Sequence, residues 1–174
     1  MQGLPDNITA CLFDMDGVVT KTAVVHAAAW KDMFDDFLRE RAAATGAAFV
    51  PFDPVEDYDA YVDGKPRLDG TRSFLRSRGI ELPEGTAQDA PGTPTIWGLS
   101  NKKNDLVLQR LAQGKVEVYD GTLRFLRYER SRGLKTAIVS SSANTLQVLN
   151  GVGITDLFDV RIDGVVAQQR GLNG

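Results

Sequence analysis

The chain has 174 residues, 43% of them hydrophobic and 25% charged, with a formal net charge of −3 and one cysteine. Such a composition suits a globular domain with one good core and room for a smaller inserted unit, and it argues against a large nucleic-acid footprint, which needs clustered basic residues. No apolar run approaches the ~18 residues of a membrane span, and no basic stretch leads into an apolar segment at the N-terminus, so a cytoplasmic protein without membrane or nucleic-acid partners is expected.

Residues Met1 to Thr9, with Pro5, form a polar lead-in. The run Ala10-Cys-Leu-Phe-Asp14 reads as a short strand buried on both faces, in which Cys11 is a small hydrophobe with no disulfide partner. Two carboxylates one residue apart, Asp14 and Asp16, close the strand, and Gly17 follows at once. From Thr22 to about Ala44, Val25, Ala29, Phe34 and Phe37 recur at helical spacing, with Trp30, Met33 and Leu38 beside them. Thr45-Gly46 ends that helix, and residues 47–62 read as a loop with a short helix. Gly64-Lys-Pro66 marks a turn, after which Asp69 or Thr71 caps a helix running to Arg78. Leu82 to Thr95 is rich in Pro, Gly, Ala and Thr and reads as a surface loop, followed by a helix over Asn101 to Ala112. Leu123, Phe125, Leu126 and Tyr128 belong to a helix ending at Arg132-Gly133. A second buried strand, Leu134 to Val139, runs into Ser140-Ser-Ser142. A short helix, Asn144 to Asn150, and a third strand, Leu157 to Ile162, complete the pattern.

Helix–strand alternation predicts an α/β fold with parallel crossovers. The stretch of about ninety residues between the first two strands is too long for a loop and needs a small core of its own. The expected organisation is an α/β core of residues 1–21 and 114–174, carrying an inserted helical cap of residues 22–113.

Ligands of open α/β sheets bind beyond the carboxyl ends of the strands, where Asp14 and Asp16 fall. Asp and Gly also serve as turn formers there, but a bare turn does not need a second acid. Paired carboxylates at this point suit phosphoryl transfer through an aspartyl phosphate, the first acid attacking phosphorus and the second acting as general acid/base. Anionic phosphate beside two acids calls for a divalent cation with oxygen ligands, and Mg²⁺ is the natural choice. The serines after the second strand, at a helix start, offer hydroxyl and backbone N–H donors for phosphate, although taken alone a serine run also fits simple capping.

These motifs resemble the haloacid dehalogenase superfamily. Asp14-Met-Asp-Gly-Val is similar to its first motif and Ile138-Val-Ser-Ser-Ser to its second. An acid at position 16 points to the phosphotransferases of the superfamily, and a helical segment between the motifs to the subclass with an α-helical cap. Thr20-Lys-Thr-Ala-Val-Val-His26-Ala-Ala-Ala-Trp30-Lys, Gly64-Lys-Pro-Arg67-Leu-Asp69, Asn101-Lys-Lys103-Asn-Asp105 and Ser140-Ser-Ser-Ala-Asn144 resemble the β-phosphoglucomutase subfamily.

The resemblance implies a parallel-sheet core of the superfamily's Rossmann-like kind. It makes Asp14 the nucleophile and Asp16 the acid/base. The Asp14 carboxylate and the Asp16 backbone carbonyl would ligate Mg²⁺. Ser140, with the Ser141 N–H, would bind the transferring phosphate, and Ser142 and Asn144 would help from the core side. Arg67 would grip the second phosphate of a small phosphorylated sugar, where a planar guanidinium suits phosphate geometry. His26, Trp30, Gly64 and Lys103 would position the sugar, and Thr22 would hold Asp16. By itself His26 fits a satisfied helix histidine, Trp30 fits a core aromatic, and Arg67 and Lys103 fit solvated charges. Three positions depart from the pattern: Lys21 replaces an acid, Leu68 a Glu, and Ala143 a Lys.

The implied reaction is interconversion of β-glucose 1-phosphate and glucose 6-phosphate through a bisphosphate. A sugar-phosphate phosphatase on the same scaffold and a non-catalytic phosphate-binding fragment are the alternatives. The superfamily's third motif, a Lys, is expected directly after Gly174, with an acidic fourth motif and two more strands beyond it. A fragment of a longer protein is therefore expected, with an open edge beside the first strand and crippled turnover as it stands.

Overall fold

The computed structural model describes residues 3–5, 7–114 and 116–172, so Met1, Gln2 and Asp6 of the predicted lead-in lie outside the described residues. In chain order the elements are β1 (Ala10–Asp14), α1 (Ala23–Thr45), α2 (Arg67–Ser77), α3 (Ile96–Gln113), α4 (Asp120–Ser131), β2 (Lys135–Val139), α5 (Thr145–Gly151), β3 (Val160–Ile162) and α6 (Gly164–Arg170). A π-helical turn at Tyr58–Val62 and a 3-10 turn at Thr155–Leu157 join them. The chain divides into two compact units, Met1–Ala23 with Lys115–Gly174, and Val24–Gly114.

The first unit holds a three-stranded sheet in the order β1-β2-β3, with both pairings parallel. Phe13 pairs with Ile138 and packs its ring edge-on against Phe125 of α4 and Phe158. Burial on both faces does not hold for β1. Leu12 is 76% exposed and Val160 51% exposed, on the face opposite Phe13 and Ile138. An apolar run shows that a strand can be covered on both sides, not that both sides are. Cys11, on the same face as Phe13, is itself only partly buried. Leu4 is held at the end of α4: it donates its N–H to the buried Glu129 carboxylate, and Arg132, just past the helix, donates to its carbonyl.

The second unit is built round aromatic rings. Phe34 of α1 stacks on Trp30 at 5.2 Å and on Phe52 at 5.3 Å, and meets Phe74 of α2 at 4.1 Å. The buried Asp35 accepts from the Phe52 N–H at 2.8 Å and pairs with Lys31 at 2.9 Å, fixing the segment after α1. Two helices begin earlier than their sequence signals suggest. Pro66 directs the chain into α2 at Arg67 with no side-chain cap, so Asp69 lies in the first turn, where it favours the helix dipole and pairs with Arg72. Thr95 caps α3 by accepting from the Gly98 N–H at 2.9 Å, so the helix begins at Ile96, five residues ahead of Asn101. In the first unit, β3 starts at Val160 because Leu157 is taken into the 3-10 turn, and α6 follows without having been foreseen.

Phe34 has no solvent exposure and touches three other rings. Phe34→Ala is expected to cost about 3–5 kcal/mol of unfolding free energy, read by urea denaturation followed by Trp fluorescence.

Candidate functional site

The parallel register sets Asp14 opposite Val139, the residue before Ser140. Adjacent strands stand about 4.8 Å apart, so the first acid and the serine run emerge side by side at one edge of the sheet. The chain then folds tightly behind Asp14. The Met15 carbonyl accepts from the N–H groups of Val19 at 3.0 Å and Thr20 at 2.9 Å, and Gly17 donates to the Thr20 carbonyl at 2.8 Å. This turn presents Asp16, half-buried, beside two buried threonines. Thr22 Oγ1 donates to Asp16 Oδ1. Thr20 Oγ1 lies 2.7 Å from Thr22 Oγ1 and 3.1 Å from the Met15 carbonyl, so the Thr22 hydroxyl that bonds Asp16 is itself fixed by a buried neighbour. Asp14 Oδ1 accepts from the Met15 N–H at 2.7 Å, which sets the rotation of its carboxylate.

On the neighbouring strand end, Ser142 donates its N–H to Ser140 Oγ at 3.1 Å, and Asn144 donates its N–H to Ser142 Oγ at 3.2 Å. Accepting from Ser142 occupies a lone pair of Ser140 Oγ and leaves its proton for another acceptor. Only seven residues follow as α5, so the loop's own hydroxyls and N–H groups, rather than a long helix dipole, supply what an anion would meet.

The residues of the second unit form a separate constellation. His26 of α1 and Lys103 of α3 are both buried, with Lys103 Nζ 2.9 Å from His26 Nδ1 and 4.7 Å over the Trp30 ring. Burial, aided by the Lys103 charge, pushes the imidazole pKa down to about 3. A neutral His26 accepts at Nδ1 from the lysine, so the ring proton sits on Nε2. Arg67 opens α2 and is half-buried, its pKa lowered by desolvation, with Asp105 opposing the shift. Gly64 stands in an exposed turn at φ +68°, a conformation that a side chain would strain. Lys21, at the position where an acid was expected, pairs with Glu117 at 2.5 Å.

The structure thus brings together Asp14, Asp16, Thr22 and Ser140–Ser142 in the first unit, and His26, Trp30 and Lys103 in the second. Two features escaped the sequence reading. Thr20 is buried against Thr22, which the pair of threonines at i and i+2 could have signalled. Asp163 and Gly164 buttress the serine loop, and only their place after a strand hinted at it. Among the described residues no three His, Cys, Asp or Glu side chains form a metal cage of their own. The Asp14 carboxylate and Asp16 carbonyl are hard oxygen donors, which suits a cation such as Mg²⁺ that completes its shell with water and substrate phosphate.

A parallel α/β sheet whose first strand ends in paired acids beside a serine loop is an arrangement suited to phosphoryl transfer. The haloacid dehalogenase-like hydrolase model matches residues 8–171, and the chain belongs to that family. Within it the chain is β-phosphoglucomutase-like. It is 49% identical over 172 residues to a protein named β-phosphoglucomutase in Mycobacterium bovis, a match covering 99% of this chain and 66% of that relative. The chain thus spans just under two thirds of the relative's length. The crystal structure of β-phosphoglucomutase from Clostridium difficile superposes with a TM-score of 0.67 at 23% identity, over 91% of this chain and 62% of that one. CbbY from Rhodobacter sphaeroides, solved in complex with xylulose-(1,5)bisphosphate, gives 0.62 at 21% identity, over 91% and 64%. These two show the fold.

The His26 pKa makes stability depend on pH with a definite sign. The unfolded chain binds a proton on this histidine below about pH 6.5 and the folded chain does not until about pH 3. Stability is therefore lost as pH falls through that window, by up to about 1.4 kcal/mol per pH unit from this group. Between pH 6.5 and 5 the stability of His26→Gln is expected to fall less steeply than that of the unsubstituted chain, measured by denaturant midpoints.

Proposed function

We propose that the protein containing these residues is a phosphotransferase of the β-phosphoglucomutase type, interconverting β-glucose 1-phosphate and glucose 6-phosphate. The observation that supports it most is the β1–β2 register, which sets Asp14 beside the Ser140 loop while Thr22 fixes Asp16 two residues on. In the forward step a carboxylate oxygen of Asp14 bonds to phosphorus. The bond from phosphorus to the donor oxygen breaks, and that oxygen takes a proton from Asp16. In the return step a hydroxyl of the sugar attacks the aspartyl phosphate, Asp16 takes its proton, and the Asp14 carboxylate is regenerated. Ser140 Oγ–H and the Ser141 N–H hold the equatorial oxygens as charge develops. Mg²⁺, when bound by the Asp14 carboxylate and the Asp16 carbonyl, supplies charge neutralisation at the phosphoryl group.

The helical unit is read as the cap. Arg67 engages the sugar's second phosphate, Lys103 and the Nε2–H of His26 meet sugar oxygens, and Trp30 underlies them. Gly64 is read with them as positioning the sugar, and Ser142 and Asn144 as helping to hold phosphate from the core side. A phosphorylated sugar substrate fits a cytoplasmic enzyme, in keeping with the described helices, none of which is long and apolar enough to cross a membrane.

The test is a coupled assay with Mg²⁺ on the protein as its gene encodes it, supplied with β-glucose 1-phosphate and then with a panel of phosphate esters. Glucose 6-phosphate formation is expected. Release of inorganic phosphate alone moves the reading to a phosphatase, and no turnover of any ester moves it to a phosphate-binding role. Asp14→Asn is expected to abolish turnover, and Asp16→Asn to lower kcat by on the order of 10²-fold or more. Arg67→Ala is expected to act chiefly through KM, raising it by on the order of tenfold or more, as loss of a charge-assisted phosphate contact does.

A further inference from the structure

The loop after β3 touches the serine loop at three points. Ser140 donates its N–H to the Ile162 carbonyl at 2.9 Å, and Gly164 donates its N–H to the Ser142 carbonyl at 3.1 Å. The third contact is steric. A Cβ on Gly164 would fall 2.5 Å from the Ser141 carbonyl oxygen and 3.2 Å from the Ala143 nitrogen, both of them backbone atoms that cannot swing aside. Gly164 is itself held from behind. Asp163, only 2% exposed, accepts from the Val165 and Val166 N–H groups at 3.1 and 2.9 Å. Its other carboxylate oxygen lies 2.6 Å from Arg161 Nε. The turn is therefore rigid on one side and pressed against Ser140–Ala143 on the other.

We propose that Asp163 and Gly164 are positioning residues for the phosphate-binding loop: the Asp163 carboxylate locks the turn, and the absent side chain of Gly164 sets how closely Ser140–Ser142 approaches the third strand. The proposal rests on the reading of Ser140–Ser142 as the phosphate cradle. Because the loop is fixed by backbone contacts, moving it by a few tenths of an ångström shifts every donor in it together. Asn at 163 keeps a side-chain oxygen for the two N–H groups and changes only the partnership with Arg161; Ala removes the cap.

The experiment measures binding of inorganic phosphate by isothermal titration alongside steady-state kinetics with β-glucose 1-phosphate. The variants are Gly164→Ala, Asp163→Ala and Asp163→Asn, with thermal unfolding recorded for each. Gly164→Ala is expected to weaken phosphate binding and lower kcat by tenfold to on the order of 10²-fold, with the KM change smaller than the kcat change. Asp163→Ala should move both readouts in the same direction, and Asp163→Asn should recover most of the loss. A folded Gly164→Ala with phosphate affinity and kcat unchanged overturns the proposal. Where that variant does not fold, Asp163→Ala decides: folded with unchanged phosphate affinity, it overturns the proposal equally. Asp14→Asn serves as the separate control. If it retains turnover, the functional reading fails, whereas its loss of turnover beside an unaffected Gly164→Ala removes only the positioning role.

Discussion

The parallel pairing of β1 with β2 is the constraint on which the rest of the first unit depends. Parallel strands end at the same edge of a sheet, so whatever follows them is delivered to one place. Here that is Asp14 from one strand and Ser140 from the next, through the pairing of Asp14 with Val139. Slipping the register by one residue would turn Phe13 away from Ile138 and Phe125 and carry Asp14 to the wrong side of the serine loop. Core packing and site geometry are thus one requirement. The side chains that fix the register are apolar, and the residues that profit from it are the polar ones just beyond them.

Each of the two acids accepts a hydrogen bond from a residue close in the chain. Asp14 accepts from the Met15 N–H, and Asp16 accepts from Thr22. Hydrogen bonds to a carboxylate are stronger than neutral ones and define its orientation, which a nucleophile or proton carrier needs before substrate arrives. The same economy appears at the serine loop, where Ser140 Oγ accepts from a neighbouring N–H and so keeps its proton for an incoming oxygen.

How far the sequence reveals this depends on the range over which each feature is encoded. Asp14-Met-Asp-Gly and the serine run were legible because the chemistry and the turn are written in consecutive residues. The start of α3 was hidden because Ile96 and Leu99 follow a Pro- and Gly-rich loop, and Thr95 looked like one more loop residue rather than a cap. The exposure of Leu12 was illegible for another reason: an apolar run carries no record of which sheet face a helix covers. The pairing of His26 with Lys103 joins residues 77 apart, so only resemblance placed them in one site, and nothing local predicted that they would touch. Asp163-Gly164 reads as an ordinary turn, and its pressure on Ser141 is visible only in three dimensions.

The second unit poses an energetic question that the first does not. Burying an ammonium group is costly unless its neighbours replace water. Lys103 meets the Trp30 π-face and the His26 Nδ1 lone pair, each a partial substitute for solvation. The arrangement works only while His26 is neutral, since a second positive charge 2.9 Å away would repel the first. Burial keeps the imidazole in that state down to about pH 3. The lysine therefore fixes the tautomer and the histidine orients the lysine, so each removes the other's freedom. What results is one ammonium and one Nε2–H with set directions, framed by the stack of Trp30 on Phe34. Donors of that kind match the oxygens of a sugar or a phosphate better than apolar surface does, and their cost to the core is understandable if that is their use.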